Sequence, residues 1–211
     1  MNTPASHLRA RALRTLAGLA ALFGLPLVIA FFAYYGSGWR PAGRVNHGVL
    51  ITPARPLPPV TLPRVSLALA TGAPQPGGAA AAHGTPFRGK WSLVYIGNGA
   101  CDSACRQALY VMRQTRLALN NDMTRLERVF LASGDCCARE LLAREQAGLE
   151  VLDAAGPAGT ALLREFPSPG REHSLFVVDP LGNLMMSYDA RRDPHGLLGD
   201  LKKLLKLSHI G

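Results

Sequence analysis

The sequence predicts an α/β domain carried behind a single N-terminal transmembrane helix. Three observations lead there: one long uncharged apolar run near the N-terminus, an abrupt change in charge at about residue 90, and beyond it a regular alternation of short apolar strands with helical stretches. The alternation implies a mainly parallel sheet with helices on its faces.

The apolar run is Leu16 to Tyr35, 20 residues without a charge. At ~1.5 Å per residue it spans roughly 30 Å, the thickness of the bilayer hydrocarbon. Arg9, Arg11 and Arg14 precede it and predict a cytoplasmic N-terminus. Arg40 and Arg44 follow it and weaken that asymmetry. Phe31, Phe32, Tyr34, Tyr35 and Trp39 form an aromatic belt at the far interface. A cleaved signal sequence is the competing reading. The run is longer than a usual signal core, and Tyr34-Tyr35 stands where a small-x-small cleavage site belongs. A buried core helix fits less well, because the run shows no amphipathic period.

The formal charge of +9 is unevenly distributed. Met1 to Lys90 holds nine Lys or Arg and no acidic residue, whereas Trp91 to Gly211 holds 14 basic and 14 acidic residues. The basic excess therefore belongs to the anchor and linker, where anionic lipid headgroups meet it, and gives no argument for nucleic acid binding. No Ser-His-Asp arrangement, P-loop or Gly-rich dinucleotide motif is present.

Residues 36–84 read as an extended linker. Pro53, Pro56, Pro58, Pro59 and Pro63 make it poorly helical, with Gly48–Ile51 and Val65–Leu69 as possible edge strands. Thr71 to Gly84 is Ala, Gly and Pro with nothing to bury and reads as a mobile loop. The domain proper is placed at 85–211. Trp91–Ile96 is a strand apolar on both faces. Then come a helix over Cys105–Leu119, a strand at Arg128–Ala132, a helix over Ala138–Ala147, a strand at Leu149–Leu152 and a helix over Ala158–Phe166. A strand at Ser174–Asp179, the turn Pro180–Asn183, a hairpin partner at Leu184–Tyr188 and an amphipathic helix over Leu197–Leu207 complete the chain. The order β-α-β-α-β-α-β-β-α is the thioredoxin arrangement, so the expected fold is thioredoxin-like with one N-terminal transmembrane helix.

Cys101-Asp-Ser-Ala-Cys105 stands where the first strong strand gives way to a helix. Cysteines at i and i+4 share one face of a helix, and the exposed N–H groups of a helix N-terminus favour thiolates. Two such sulfurs chelate a soft metal such as Cu(I) or close a disulfide, and spacing does not choose between these. The plainer alternative is two buried cysteines filling space. His173, at a strand start, is by itself a polar cap as readily as a ligand. His7, His47, His83, His195 and His209 receive no role. Cys136-Cys137 follow the second strand, and loops at the carboxyl ends of parallel strands cluster on one sheet edge. They are candidate auxiliary thiols, as a resolving pair or extra soft ligands, with space-filling or a vicinal disulfide as the alternatives. No second Cys or His pair has zinc-site spacing.

Leu93–Gly97, a three-residue gap and then Cys-x-x-x-Cys resemble the copper-site segment of the SCO (SCO/SenC) family of thioredoxin-fold copper chaperones for cytochrome c oxidase assembly. His173-Ser174, the apolar strand and Asp179-Pro180-Leu181-Gly182 are similar to that family's second segment. The resemblance covers roughly Trp91 to Leu207. It implies Cys101, Cys105 and His173 as ligands for copper, as Cu(I) or Cu(II). It also implies an oxidase subunit carrying the binuclear copper site as partner, alongside other oxidase assembly factors, and an inner-membrane location with the soluble domain on the periplasmic side. The family usually has prolines inside and just after its cysteine motif, where this chain has Asp102 and Arg106, so the chain resembles a divergent member.

Three functions compete on these residues. The first is a copper-binding assembly factor. The second is a thiol–disulfide oxidoreductase acting on oxidase cysteines, with Cys101 attacking and Cys105 resolving; whether the chain is an enzyme thus stays open. The third is a non-catalytic scaffold that keeps only the fold.

Overall fold

The computed structural model describes residues 4–36, 45–67, 83–84, 86–208 and 210. Residues Met1–Val45 and Asn46–Gly211 form two separate compact units. The first contains helix α1 (Pro4–Phe31), which ends in a π-helical turn at Phe32–Gly36. Within it, Arg9–Gly36 contains an 18-residue stretch with a mean hydropathy of 2.4 and is long and apolar enough to cross a membrane by length and composition. The helix begins well before Leu16, since the arginine-bearing segment lacks a helix breaker after Pro4 and continues the same turn. Trp39, Arg40 and Arg44 lie outside the described residues.

The second unit contains β1 (Val49–Pro56), β2 (Leu62–Pro63), β3 (His83–Gly84), β4 (Trp91–Gly97), α2 (Ser103–Ala118), β5 (Leu126–Ala132), α3 (Arg139–Glu145), β6 (Leu149–Asp153), α4 (Pro157–Arg164), β7 (Ser174–Val178), β8 (Asn183–Asp189) and α5 (Pro194–Leu207). Two 3₁₀ turns, Asn120–Arg125 and Arg171–His173, join α2 to β5 and α4 to β7. The six-stranded sheet runs β1-β8-β7-β4-β5-β6. β4, β5 and β6 pair in parallel, whereas β7 is antiparallel to β4, β8 to β7, and β1 to β8.

Only one side of the sheet is therefore parallel. The connection from α4 to β7 carries no full crossover helix back to the same end, so β7 enters the sheet reversed. The segment read as linker contributes β1, an edge strand that reaches through the prolines to Pro56 and hydrogen-bonds to β8 in spite of them. Pro lacks an N–H, so an edge strand tolerates it where a central one does not. At the stretch Val65–Leu69 an antiparallel bridge just before it, at Arg64–Leu152, and the bond from Val65 N to Val151 O (2.8 Å) attach the chain to β6; the end of this stretch and residues 71–82 of the expected loop lie outside the described residues.

β4 explains its own composition. Trp91, Leu93 and Tyr95 face one layer with Leu109 and Met112 of α2, Leu142 of α3, and Leu197, Leu201 and Leu205 of α5. Val94 and Ile96 face the other, with Leu162, Leu163 and Phe166 of the α4 segment and Leu57, Leu62 and Phe87 from the chain before β4. Side chains alternate across a strand, so a strand covered on both faces is apolar almost throughout; the exception, Ser92, is buried and donates to Glu127 Oε1 at 2.7 Å. Asp200 in α5 ties down the entry to β1. Its carboxylate accepts hydrogen bonds from His47 N (2.7 Å), Gly48 N (3.1 Å) and Tyr188 Oη (2.9 Å).

Candidate thiol and metal site

The site begins where β4 ends. Asn98 makes a tight turn: its side-chain oxygen accepts from Ala100 N at 2.8 Å and its carbonyl from Cys101 N at 3.1 Å. Cys101 leaves this turn with φ at +52°, a left-handed conformation that costs a non-glycine residue about 1 kcal/mol. Asp102 then caps α2, its carboxylate accepting from Cys105 N at 2.9 Å. Cys101 and Cys105 are bonded in a disulfide with Cα atoms 5.0 Å apart. The sequence reading put both sulfurs on one helix face. Cys101 instead precedes the cap, and the bond spans the helix's opening turn. Both residues are buried, at 4% and 1% exposure, in the layer formed by α2 and α5.

His173 comes to the same region from the other end of the chain. Gly170 at φ +65° opens the Arg171–His173 turn, and Arg171 holds it by donating to the carbonyls of Phe166 (2.7 Å) and Pro167 (3.2 Å). The turn packs against α2 and β4. Tyr95 Oη donates to the Glu172 carbonyl at 3.0 Å, which joins the strand leading to the cysteines to the turn that carries His173. Burial, together with the carboxylates of Asp102 and Glu172, pushes the Tyr95 phenol up to about 12, so it stays a donor. The His173 side chain is 29% exposed, with Nε2 3.9 Å from Glu172 Oε1. Tyr95 and Glu172 were not singled out from the sequence, since a tyrosine inside an apolar strand reads as core.

Cys136 and Cys137 follow β5, and the loop they occupy lies on the first one. Ser133 N donates to Gly97 O (2.9 Å) and Ala138 N to Gly99 O (2.8 Å). Gly99 is required there: a Cβ on it would stand 2.7 Å from Cys136 Cα and closer still to the Asp135 carbonyl oxygen. Cys136 and Cys137 are bonded to each other. Cys136 is exposed, whereas Cys137 is half-buried against the core layer that contains Cys101 and Cys105.

Chemically, a disulfide such as Cys101–Cys105 takes up two electrons and two protons to give two thiols. A disulfide offers no thiolate, so in this state the sulfurs do not fit a soft metal, and among the described residues no group of three or more His, Cys, Asp or Glu is set to hold one. Reduction frees two sulfurs at the start of α2, where the helix N-terminus favours their ionised form.

A family model described as transmembrane-like, thioredoxin-like, C-terminal domain matches residues 91–208, more than half of the chain. The chain belongs to that family. The match covers both cysteine pairs and the His173 turn. Among curated proteins, no sequence matches the chain. Solved structures share its fold. Apo Sco1 from Thermus thermophilus is 16% identical, with a TM-score of 0.55 over 78% of this chain and 99% of that one. Copper-bound yeast Sco1 is 14% identical, with a TM-score of 0.56 over 73% and 96%. BsSco, described with a disulfide switch and as a member of the Sco family of cytochrome c oxidase assembly proteins, is 13% identical, with a TM-score of 0.52 over 76% and 99%. The fold is thus thioredoxin-like and shared with Sco proteins, as the sequence reading expected.

Proposed function

We propose that this protein is a membrane-anchored, copper-binding assembly factor. In its reduced form Cys101 and Cys105 supply two thiolates and His173 an imidazole, and copper is cargo passed on to the copper centre of a cytochrome c oxidase subunit. The observation that carries this reading is the packing of the His173 turn against α2, whose first turn holds the second cysteine. Thiolates suit Cu(I), and an added nitrogen accommodates Cu(II). The Sco proteins that share the fold include a copper-bound form, which supports the same reading. Under this reading the chain is anchored in the inner membrane with its domain on the periplasmic side.

The test is an anaerobic titration of Cu(I) into the reduced full-length chain in detergent micelles, against Cys101→Ser, Cys105→Ser and His173→Ala. One equivalent bound tightly by the native chain and weakened in each variant supports the proposal. Absence of binding by the reduced native chain overturns it.

The Cys101–Cys105 disulfide favours a second reading, a thiol–disulfide oxidoreductase that prepares oxidase cysteines for metal. Under it, the reduced chain would reduce a disulfide in a peptide bearing the acceptor cysteines, and His173→Ala would leave that rate unchanged.

A further inference from the structure

The two disulfides differ in access. Cys101 and Cys105 are buried at 4% and 1% exposure, which blocks direct attack by a bulky thiol reagent. Cys136 is exposed, Cys137 is half-buried, and their loop is pressed onto the loop leading to Cys101 through Gly99. Two backbone hydrogen bonds, from Ser133 to Gly97 and from Ala138 to Gly99, fix the loops together on either side of the second pair. The half-buried sulfur belongs to the residue that packs on the layer containing the first pair.

We propose that Cys136–Cys137 is an electron relay that carries reducing equivalents from an external dithiol protein to the buried Cys101–Cys105 disulfide. A thiolate of the dithiol protein attacks Sγ of Cys136, and Cys137 leaves as a thiolate. The donor's second thiolate closes its own disulfide and releases Cys136. Cys137 then attacks Sγ of Cys101, breaking the buried bond and releasing Cys105 as a thiolate at the first turn of α2, where the helix N-terminus stabilises it. Cys136 attacks Cys137, reforms the vicinal disulfide and releases Cys101. Each departing thiolate takes up the proton that an attacking thiol gave to water. The net change is oxidation of one external dithiol to a disulfide and reduction of Cys101–Cys105 to two thiols. The relay goes beyond the copper reading and is read out on metal-free protein.

The test uses the oxidised full-length chain in detergent micelles with reduced thioredoxin as the dithiol donor. Release of Cys101 and Cys105 thiols is followed by timed alkylation and peptide mass mapping. In Cys136→Ser/Cys137→Ser the rate falls at least about tenfold if the relay operates. Reduction by a small phosphine, which needs no relay, proceeds in the variant as in the native chain and shows that the buried pair is still formed. An unchanged rate with thioredoxin overturns the proposal. A second variant tests the contact itself: in Cys105→Ser/Cys136→Ser only Cys101 and Cys137 remain, and mild oxidation gives an intramolecular Cys101–Cys137 bond. Failure of that bond to form in the folded variant also overturns the relay, whatever the copper titration shows.

Discussion

Tyr95 Oη donates to the main-chain carbonyl of Glu172, 3.0 Å away, so a single hydrogen bond joins the strand before the cysteines to the turn that ends in His173. It ties together the two segments, distant in sequence, that carry the residues of the proposed site. Tyr95→Phe keeps the ring in its place against Phe130 and removes only the bond. A loss of about 1 kcal/mol in urea unfolding is expected, with a fall in Cu(I) affinity of the reduced chain of roughly tenfold. Unaltered copper binding would mean that the turn is positioned by packing alone.

The same phenol gives a pH dependence with a defined sign. Its folded value, about 12, lies above the ordinary 10.0. Between those values the folded chain holds a proton that the unfolded chain has lost, so stability falls as pH rises. The contribution is complete below pH 10 and is lost on passing through about 12, on the order of 3 kcal/mol in all. Stability of the native chain minus that of Tyr95→Phe, measured by denaturant unfolding at several alkaline pH values, should decline across that window.

Asp200 predicts the opposite direction. Burial opposes its ionisation, but hydrogen bonds from Gly48, His47 and Tyr188 outweigh burial and hold its carboxyl below the usual aspartate range. Its contribution is present above the unfolded value and is lost as pH falls through the folded one. Asp200→Ala leaves two backbone N–H groups and a phenol without their acceptor, at a cost of about 3 kcal/mol or more. Hydrogen exchange should show the start of β1 losing protection first, since this carboxylate holds it down.

Much of this architecture is legible in the sequence. The apolar alternation of β4 through β8 gives strands and helices within a few residues of their observed ends, because each buries a periodic face. β1 was half visible: Gly48–Ile51 reads as a possible edge strand, but the prolines after it argue for a linker, and pairing with β8 carries the strand on to Pro56. Arg128 was equally opaque. It starts a strand by pattern, yet its guanidinium is buried and donates to Gln146 Oε1 at 2.9 Å and to the Ala147 carbonyl, an arrangement set by residues far from its own strand. At the site, the cysteine spacing suggested two sulfurs on a helix face. It gave no sign of the left-handed Cys101, which depends on the Asn98 turn.

Three substitutions at two residues separate the cap from the contact between loops. Asp102→Ala removes the acceptor for Cys105 N and should cost about 1 kcal/mol, while Asp102→Asn should restore most of it. Gly99→Ala drives a Cβ into the backbone of Asp135 and Cys136, with a cost of about 1–3 kcal/mol and a slower thioredoxin-driven reduction of the Cys101–Cys105 pair. Calorimetry of the Asp102 variants and timed alkylation of the Gly99 variant would distinguish the two effects.

Both margins of the sheet are partly obstructed against further pairing. On one side β1 carries Pro53 and Pro56, which have no N–H to offer a neighbouring strand. On the other, β6 is partly occupied by the chain at Arg64 and Val65. Open sheet margins template self-assembly, and confinement to a membrane plane raises the encounter rate between copies. The prolines that hide the second half of β1 thus act as a guard against edge-to-edge pairing between copies.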